Sequence, residues 1–199
     1  LDYGVIDGHP FLCTCGMGFD AFIAEKFASA GKRGLMTYVE KIFKDGLSYE
    51  SETYSYSIDG QEPVEQQAWL ISCASASQYG NNAYIAPQAS MRDGELDIVV
   101  MEPFNLLNAV SVNMEMINKT LDKNSRTSMF KGKCVTVTRE KPGFRHFDGE
   151  PVMANETVEV HIVEQGINVV VNGNADKSKR RPNMFQNAMS EFFNDVDTL

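Results

Sequence analysis

The chain has 199 residues, 43% of them hydrophobic and 23% charged, which suits one sizeable globular domain, alone or with an appendage. Its net charge of −9 argues against nucleic-acid binding, which needs a positive field along the phosphates. Nothing approaches the run of about 18 apolar residues that a spanning helix needs. Residues 1–15 lack the basic start of a signal peptide, and the first residue is leucine rather than methionine, which suits a piece of a longer protein.

In chain order, GHPFLCTCGMG (8–18) predicts a buried strand running into a glycine turn. FDAFIAEKFA follows with Phe19, Phe22, Ile23 and Phe27 at helical spacing, and Asp20 sits near the start, where the helix dipole favours an anion. LMTYVEKIFK (35–44) repeats the helical pattern. The period then changes: Tyr54, Tyr56 and Ile58 alternate with serines, and Asp59-Gly60 signals a hairpin. Residues 65–75 predict the next strand and DIVVM (97–101) a short buried one.

PFNLLNAVSVNMEMINKTL (103–121) predicts a helix with Pro103 in its first turn. Leu106, Leu107, Val110, Met114 and Ile117 form its apolar stripe, expected to pack on the core. Residues 134–138 predict a strand. Alternation from Val158 to Ile162, a Glu164-Gln165-Gly166 turn and further alternation at Ile167, Val169 and Val171 predict a hairpin over 157–171. A polar linker leads to an amphipathic pattern at 183–196.

Many short alternating strands with few helices predict a mainly β fold, an antiparallel sandwich or barrel-like domain. The divisions expected are a β-sandwich over 1–174, a linker over 175–182 and a C-terminal helix over 183–199. That helix is expected to dock outside the sandwich core. The one basic cluster, Lys177 to Arg181, reads as solvated linker or as a contact to an anionic membrane surface. Cys13, Cys15, Cys73 and Cys134 lack zinc-site spacing and read as reduced core residues, which points to the cytosol.

Three acidic turns carry the candidate chemistry: Gly18-Phe19-Asp20-Ala21, Arg92-Asp93-Gly94-Glu95-Leu96-Asp97 and Asp148-Gly149-Glu150. Any one of them alone reads first as a structural turn, since Asp-Gly is a common turn dipeptide. His146, two residues before Asp148, is expected to make a local hydrogen bond.

Taken together and in order, GMGFDA (16–21), NNAYIAPQASMRDGELDIVV (81–100) and FDGEP (147–151) resemble the C-terminal domain of the diacylglycerol kinase and sphingosine kinase family, most closely its bacterial soluble members. The resemblance spans roughly residues 3–172, and A-P-x-A-x-x-x-D-G-x-L-D is its most distinctive motif. It implies a two-domain enzyme whose C-terminal β-sandwich accepts a lipid alcohol and whose N-terminal domain binds ATP through a G-G-D-G-T loop. That loop is absent from this chain, so the resemblance implies the second half of a lipid kinase, inactive alone. Glu150 matches the family's proton acceptor, and Asp148 is expected to orient it or reach the nucleotide's metal. Asp93, with the backbone of Ser90 and Glu95, matches a Mg²⁺ site of bacterial members. The implied partners are a lipid substrate, the nucleotide-binding domain of the same parent protein and peripherally a membrane. Oligomerisation stays open. The chemistry is consistent: a lipid hydroxyl attacks the γ-phosphate only if its proton has an acceptor, and Mg²⁺ prefers oxygen ligands. The alternative is a β-sandwich module that binds a lipid or other ligand without phosphorylating it.

Overall fold

The structure is a computed structural model that describes residues 1–29, 49–104 and 106–170. The predicted helices at 35–44 and 183–196 and the linker between 172 and 182 lie outside the described residues.

The fold is an antiparallel β-sandwich. One sheet takes strands in the order β2 (His9–Phe11), β1 (Tyr3–Ile6), β12 (Thr157–Val163), β9 (Cys134–Arg139), β4 (Glu52–Ile58) and β5 (Val64–Ala68). The other runs β11 (Glu150–Ala154), β10 (Gly143–Phe147), β3 (Thr14–Gly18), β6 (Leu70–Ala74), β7 (Leu96–Met101) and β8 (Thr127–Gly132). Side chains alternate across a strand, so residues two apart share a face. Tyr54 and Tyr56, Val135 and Val137, and Val158 and Val160 meet Cys15 and Met17, Ile71 and Cys73, and Leu96, Ile98 and Val100 between the sheets. Each large apolar side chain fully buried there contributes about 1.5–3 kcal/mol.

β6 and β7 are buried on both faces, which explains their unbroken apolar runs. Their outer face carries Leu70, Ala74, Val99 and Met101, covered by Ile85, Ala86, Leu121 and Val112. Val112 belongs to α2 (Leu106–Asn118).

Five expectations are corrected. Residues 65–75 form two strands in different sheets, with Trp69 as the crossover. The Trp69 N–H donates to the Met101 carbonyl at 2.7 Å, and its own carbonyl accepts from the Phe19 N–H at 2.9 Å. Pro103 lies ahead of α2 rather than in its first turn. Val112 is buried and Met116 packs beside it, one turn on, whereas Met114 and Ile117 of the predicted stripe are 53% and 37% exposed. Two residues on a helix are about 200° apart, so burying Val112 turns Met114 outward; the side chains of Leu106, Leu107 and Val110 lie outside the described residues.

The turn after β12 forms, with Gln165 at φ 51°, but residues 166–170 make no return strand. β12 already has β1 on one edge and β9 on the other, so no edge is left for a hairpin partner. Finally, Cys15 and Cys73 are buried neighbours across β3 and β6, but Cys134 is exposed and Cys13 half-exposed. All four are free thiols.

Candidate active site

Strand direction sets the site. In the second sheet β3, β7 and β11 begin, and β6, β8 and β10 end, at the same end of the sheet. That end therefore gathers the Asp148-Gly149-Glu150 turn, the segment before β3, the loop between β6 and β7, and Lys131 of β8.

Asp148 and Gly149 have φ of 46° and 84° and close the β10–β11 hairpin, with Phe147 paired to Glu150. Two successive positive φ values are the two-residue turn that matches strand twist and favours Asp-Gly. The Asp148 carboxylate accepts three backbone N–H bonds, from Leu12 at 2.7 Å, Cys13 at 2.8 Å and Thr14 at 3.1 Å. It fastens the segment before β3 to the hairpin. Removing a carboxylate that three N–H groups share, at a partly wetted site, costs about 1–2 kcal/mol. Asp148→Ala is thus expected to lower the free energy of unfolding by that amount, read as a fall in the urea midpoint. An unchanged midpoint would mean that this clamp does not hold the loop.

Glu150 begins β11 and is exposed, and its carboxylate has no hydrogen bond or ion pair to any described residue. Residues facing each other across an antiparallel pair share a face, so Glu150 lies on the face of Phe147, which packs against the inter-sheet core. The carboxylate therefore stands at the edge of the sandwich, anchored by its backbone and with its oxygens unbonded among the described residues.

His146 points to the opposite face, beneath α1 (Phe19–Ser29). It is buried, and its Nε2 lies 3.0 Å from Asp20 Oδ2, which also accepts the Tyr79 hydroxyl at 3.1 Å. With Nε2 facing a carboxylate oxygen, it is the donor; Nδ1 is buried without a hydrogen-bond partner among the described residues. Gly16 makes room for this cluster, since a Cβ there would lie 2.5 Å from Asp20 Oδ2. The hydrogen bond that His146 makes is not the local one expected: its partner Asp20 is 126 residues away, and Tyr79 joins the cluster through Asp20.

Asp93 lies in the turn before β7. Its Oδ2 is 2.7 Å from Lys131 Nζ and its Oδ1 accepts the Glu95 N–H at 3.3 Å. Lys131 also stands 3.3 Å from Asp97 and 3.8 Å from Glu95. Burial works to lower the Lys131 pKa, but its bonds and charges with Asp93 and Asp97 outweigh that and hold it above the ordinary lysine value. Burial also pushes the Asp97 carboxyl up, and attraction to Lys131 only partly restores its acidity. The two shifts share a sign despite the attraction because Asp97 is nearly sealed from water and crowded by Asp93 and Glu95. Ser90 is half-buried in the same loop.

The expected Mg²⁺ site, on the Asp93 carboxylate and the backbone of Ser90 and Glu95, does not fit this arrangement, because an ammonium group already sits on that carboxylate. Among the described residues no group of three or more His, Cys, Asp or Glu side chains could hold a metal. Nor does the structure bring Asp93 and Glu150 together. β7 and β11 are four strand positions apart, about 19 Å at the usual strand spacing.

The turn carrying Asp93 is itself tied down by Asp2, which accepts the Gln165 N–H at 2.8 Å and the Gly94 N–H at 2.9 Å. The Gln165 bond, with help from Gly94 and against burial, holds the Asp2 carboxyl below its usual value. A carboxyl depressed by folding adds stability above its unfolded value, near 3.9, and loses it as pH falls through the lower folded value. Asp2→Asn is expected to flatten the acid limb of the stability–pH curve below about pH 4. Parallel acid limbs in urea titrations of the two proteins would contradict this.

Residues 13–171 match the family model described as the YegS C-terminal NAD kinase beta sandwich-like domain. The chain belongs to that family. The resemblance read from GMGFDA, the Ala86–Asp97 motif and FDGEP is thereby borne out, as is the β-sandwich. No curated protein matches the chain in sequence. Among solved structures, a diacylglycerol kinase from Bacillus anthracis str. Sterne superimposes with a TM-score of 0.56 at 17% identity, over 82% of this chain and 50% of that one. Two further structures from the same strain are named provisionally as diacylglycerol kinases. They give TM-scores of 0.59 and 0.56 at 19% and 20% identity, over 82% of this chain and 53% and 54% of theirs. At such identities the likeness shows the fold. This member of the YegS C-terminal domain family spans about half the length of those proteins. Among the described residues no helix is long and apolar enough to cross a membrane.

Proposed function

We propose that this chain is the lipid-accepting half of an ATP-dependent lipid kinase, in which Glu150 takes the proton from a lipid hydroxyl as it attacks the γ-phosphate. One observation carries the assignment. Of the carboxylates in the three motif turns, Asp20 is bound to His146 and Tyr79, Asp93 and Asp97 to Lys131, and Asp148 to three backbone N–H groups. Glu95 lies at 3.8 Å from the same lysine. Glu150 alone has no described partner, which is what a proton acceptor for an incoming substrate requires.

Asp148 then acts by position: by clamping the hairpin to the segment before β3, it fixes where Glu150 begins β11. Membership of the YegS C-terminal family and the names of the similar structures support the kinase reading. Their greater length supports a second domain that would bind ATP, with Mg²⁺ arriving on the nucleotide. The acceptor class is a diacylglycerol-like lipid or a sphingoid base, met at a membrane surface by a protein that works from the cytoplasm. Substituting glutamine at Glu150 tests the assignment, because it removes proton acceptance and keeps the side chain's shape.

A further inference from the structure

Three carboxylates converge before and at the start of β7, and a hard divalent cation is the usual answer to such a cluster. Here the chain answers it. Lys131 faces Asp97 directly across the β7–β8 ladder, and its ammonium group reaches Asp93 Oδ2 at 2.7 Å, Asp97 Oδ2 at 3.3 Å and Glu95 Oε2 at 3.8 Å. Two of the ammonium's three donors reach Asp93 and Asp97 at hydrogen-bond distance, and Glu95 stands at ion-pair distance. The Asp97 side chain is only 6% exposed, so its charge cannot be left to water. A Mg²⁺ on Asp93 would need oxygen donors at about 2.0–2.1 Å and would stand against the ammonium, where like charges repel.

We infer that Lys131 is an internal cation that takes the place of a divalent metal at the Asp93–Asp97 turn, so that the turn holds its shape without Mg²⁺. Asp2 then grips the same turn through the Gly94 N–H, and β7 begins in register. The inference concerns the architecture of the turn and goes beyond the kinase reading. Its test reads folding alone, so either can fail without the other.

The test is thermal unfolding of the whole chain in EDTA, in about 10 mM MgCl₂ and in NaCl of matched ionic strength. The wild-type midpoint is expected to be the same in EDTA and MgCl₂ once ionic strength is matched. Lys131→Ala leaves three carboxylates without their cation. It is expected to melt earlier in EDTA and to recover in Mg²⁺ or Ca²⁺. A site with a dissociation constant of about 1 mM would raise the folded-to-unfolded ratio about tenfold, a midpoint shift of about 4 °C for a chain of this size. Lys131→Met, which keeps the apolar stem, serves where the alanine variant does not fold. A wild-type midpoint that rises by several degrees in Mg²⁺ over matched salt, or stoichiometric Mg²⁺ retained after dialysis, would overturn the inference. So would lysine variants whose midpoints ignore divalent cations. The wild-type comparison decides by itself if neither variant folds.

Discussion

Glu150→Gln is expected to lower turnover of the parent enzyme by about 10²–10⁴-fold, the usual contribution of a general base. The amide keeps the size and most polar contacts of the carboxylate, so affinity for lipid and nucleotide should change little. Stability should hardly move, because Glu150 is exposed at the start of β11 and its carboxylate binds no described residue. A surface change of this kind stays within about 0.5 kcal/mol. The variant therefore separates two roles. A turn residue would leave the rate intact, whereas a proton acceptor loses rate at constant melting temperature. Asp148→Ala gives the contrast, since its carboxylate is committed to three N–H groups and its loss reads first in stability.

Gly18→Ala should be the most damaging single methyl addition in the GMGFDA motif. Gly18 has φ of 102°, a conformation that L side chains rarely adopt. A Cβ there would also lie 2.6 Å from the Trp69 carbonyl oxygen and 2.8 Å from Leu70 Cα. Both obstacles are backbone at the β5–β6 crossover and cannot rotate away. Strained φ and overpacking each cost about 1–3 kcal/mol, so a loss of about 3 kcal/mol is expected. For a domain of this length that is a drop of about 9 °C. A melting temperature within about 2 °C of wild type would show that β3 does not turn into α1 as described. The motif's second glycine thus belongs to the fold.

The contrast between these two variants shows what a linear sequence conveys. Strand alternation is local, so Tyr54 and Tyr56 or Val158 and Val160 could be placed in the core without knowing their neighbours. The Asp148-Gly149 hairpin was legible for the same reason: the dipeptide that demands positive φ is the one that turns. The motifs led correctly to the family. What stayed hidden depends on partners far along the chain. The alternation of Ile167 and Val169 suggests a return strand, but β12's edges are taken by β9 and by β1 from the start of the chain. The apolar run through Trp69 has no glycine or proline to mark its passage between sheets. α2 has two apolar faces on paper, and only the position of Leu121 and the outer face of β6 and β7 decides that Val112 goes in. In the site, the resemblance set Glu150 apart as the proton acceptor but left open what Asp148 holds. Asp148's backbone partners lie 134 to 136 residues away, and they separate a clamp from a free carboxylate. Lys131 carried no motif at all; register with Asp97 gives it meaning.

The most direct measurement is transfer of labelled γ-phosphate from ATP to a lipid alcohol, with diacylglycerol and a sphingoid base offered in mixed vesicles. The account predicts that the parent protein containing this sandwich labels one of these lipids at its hydroxyl, and that residues 1–199 alone label neither. Labelling by the isolated chain would contradict the division into a lipid-accepting half and a nucleotide-binding half. A parent protein that binds the vesicles yet transfers no phosphate to either lipid would contradict the lipid-kinase reading itself.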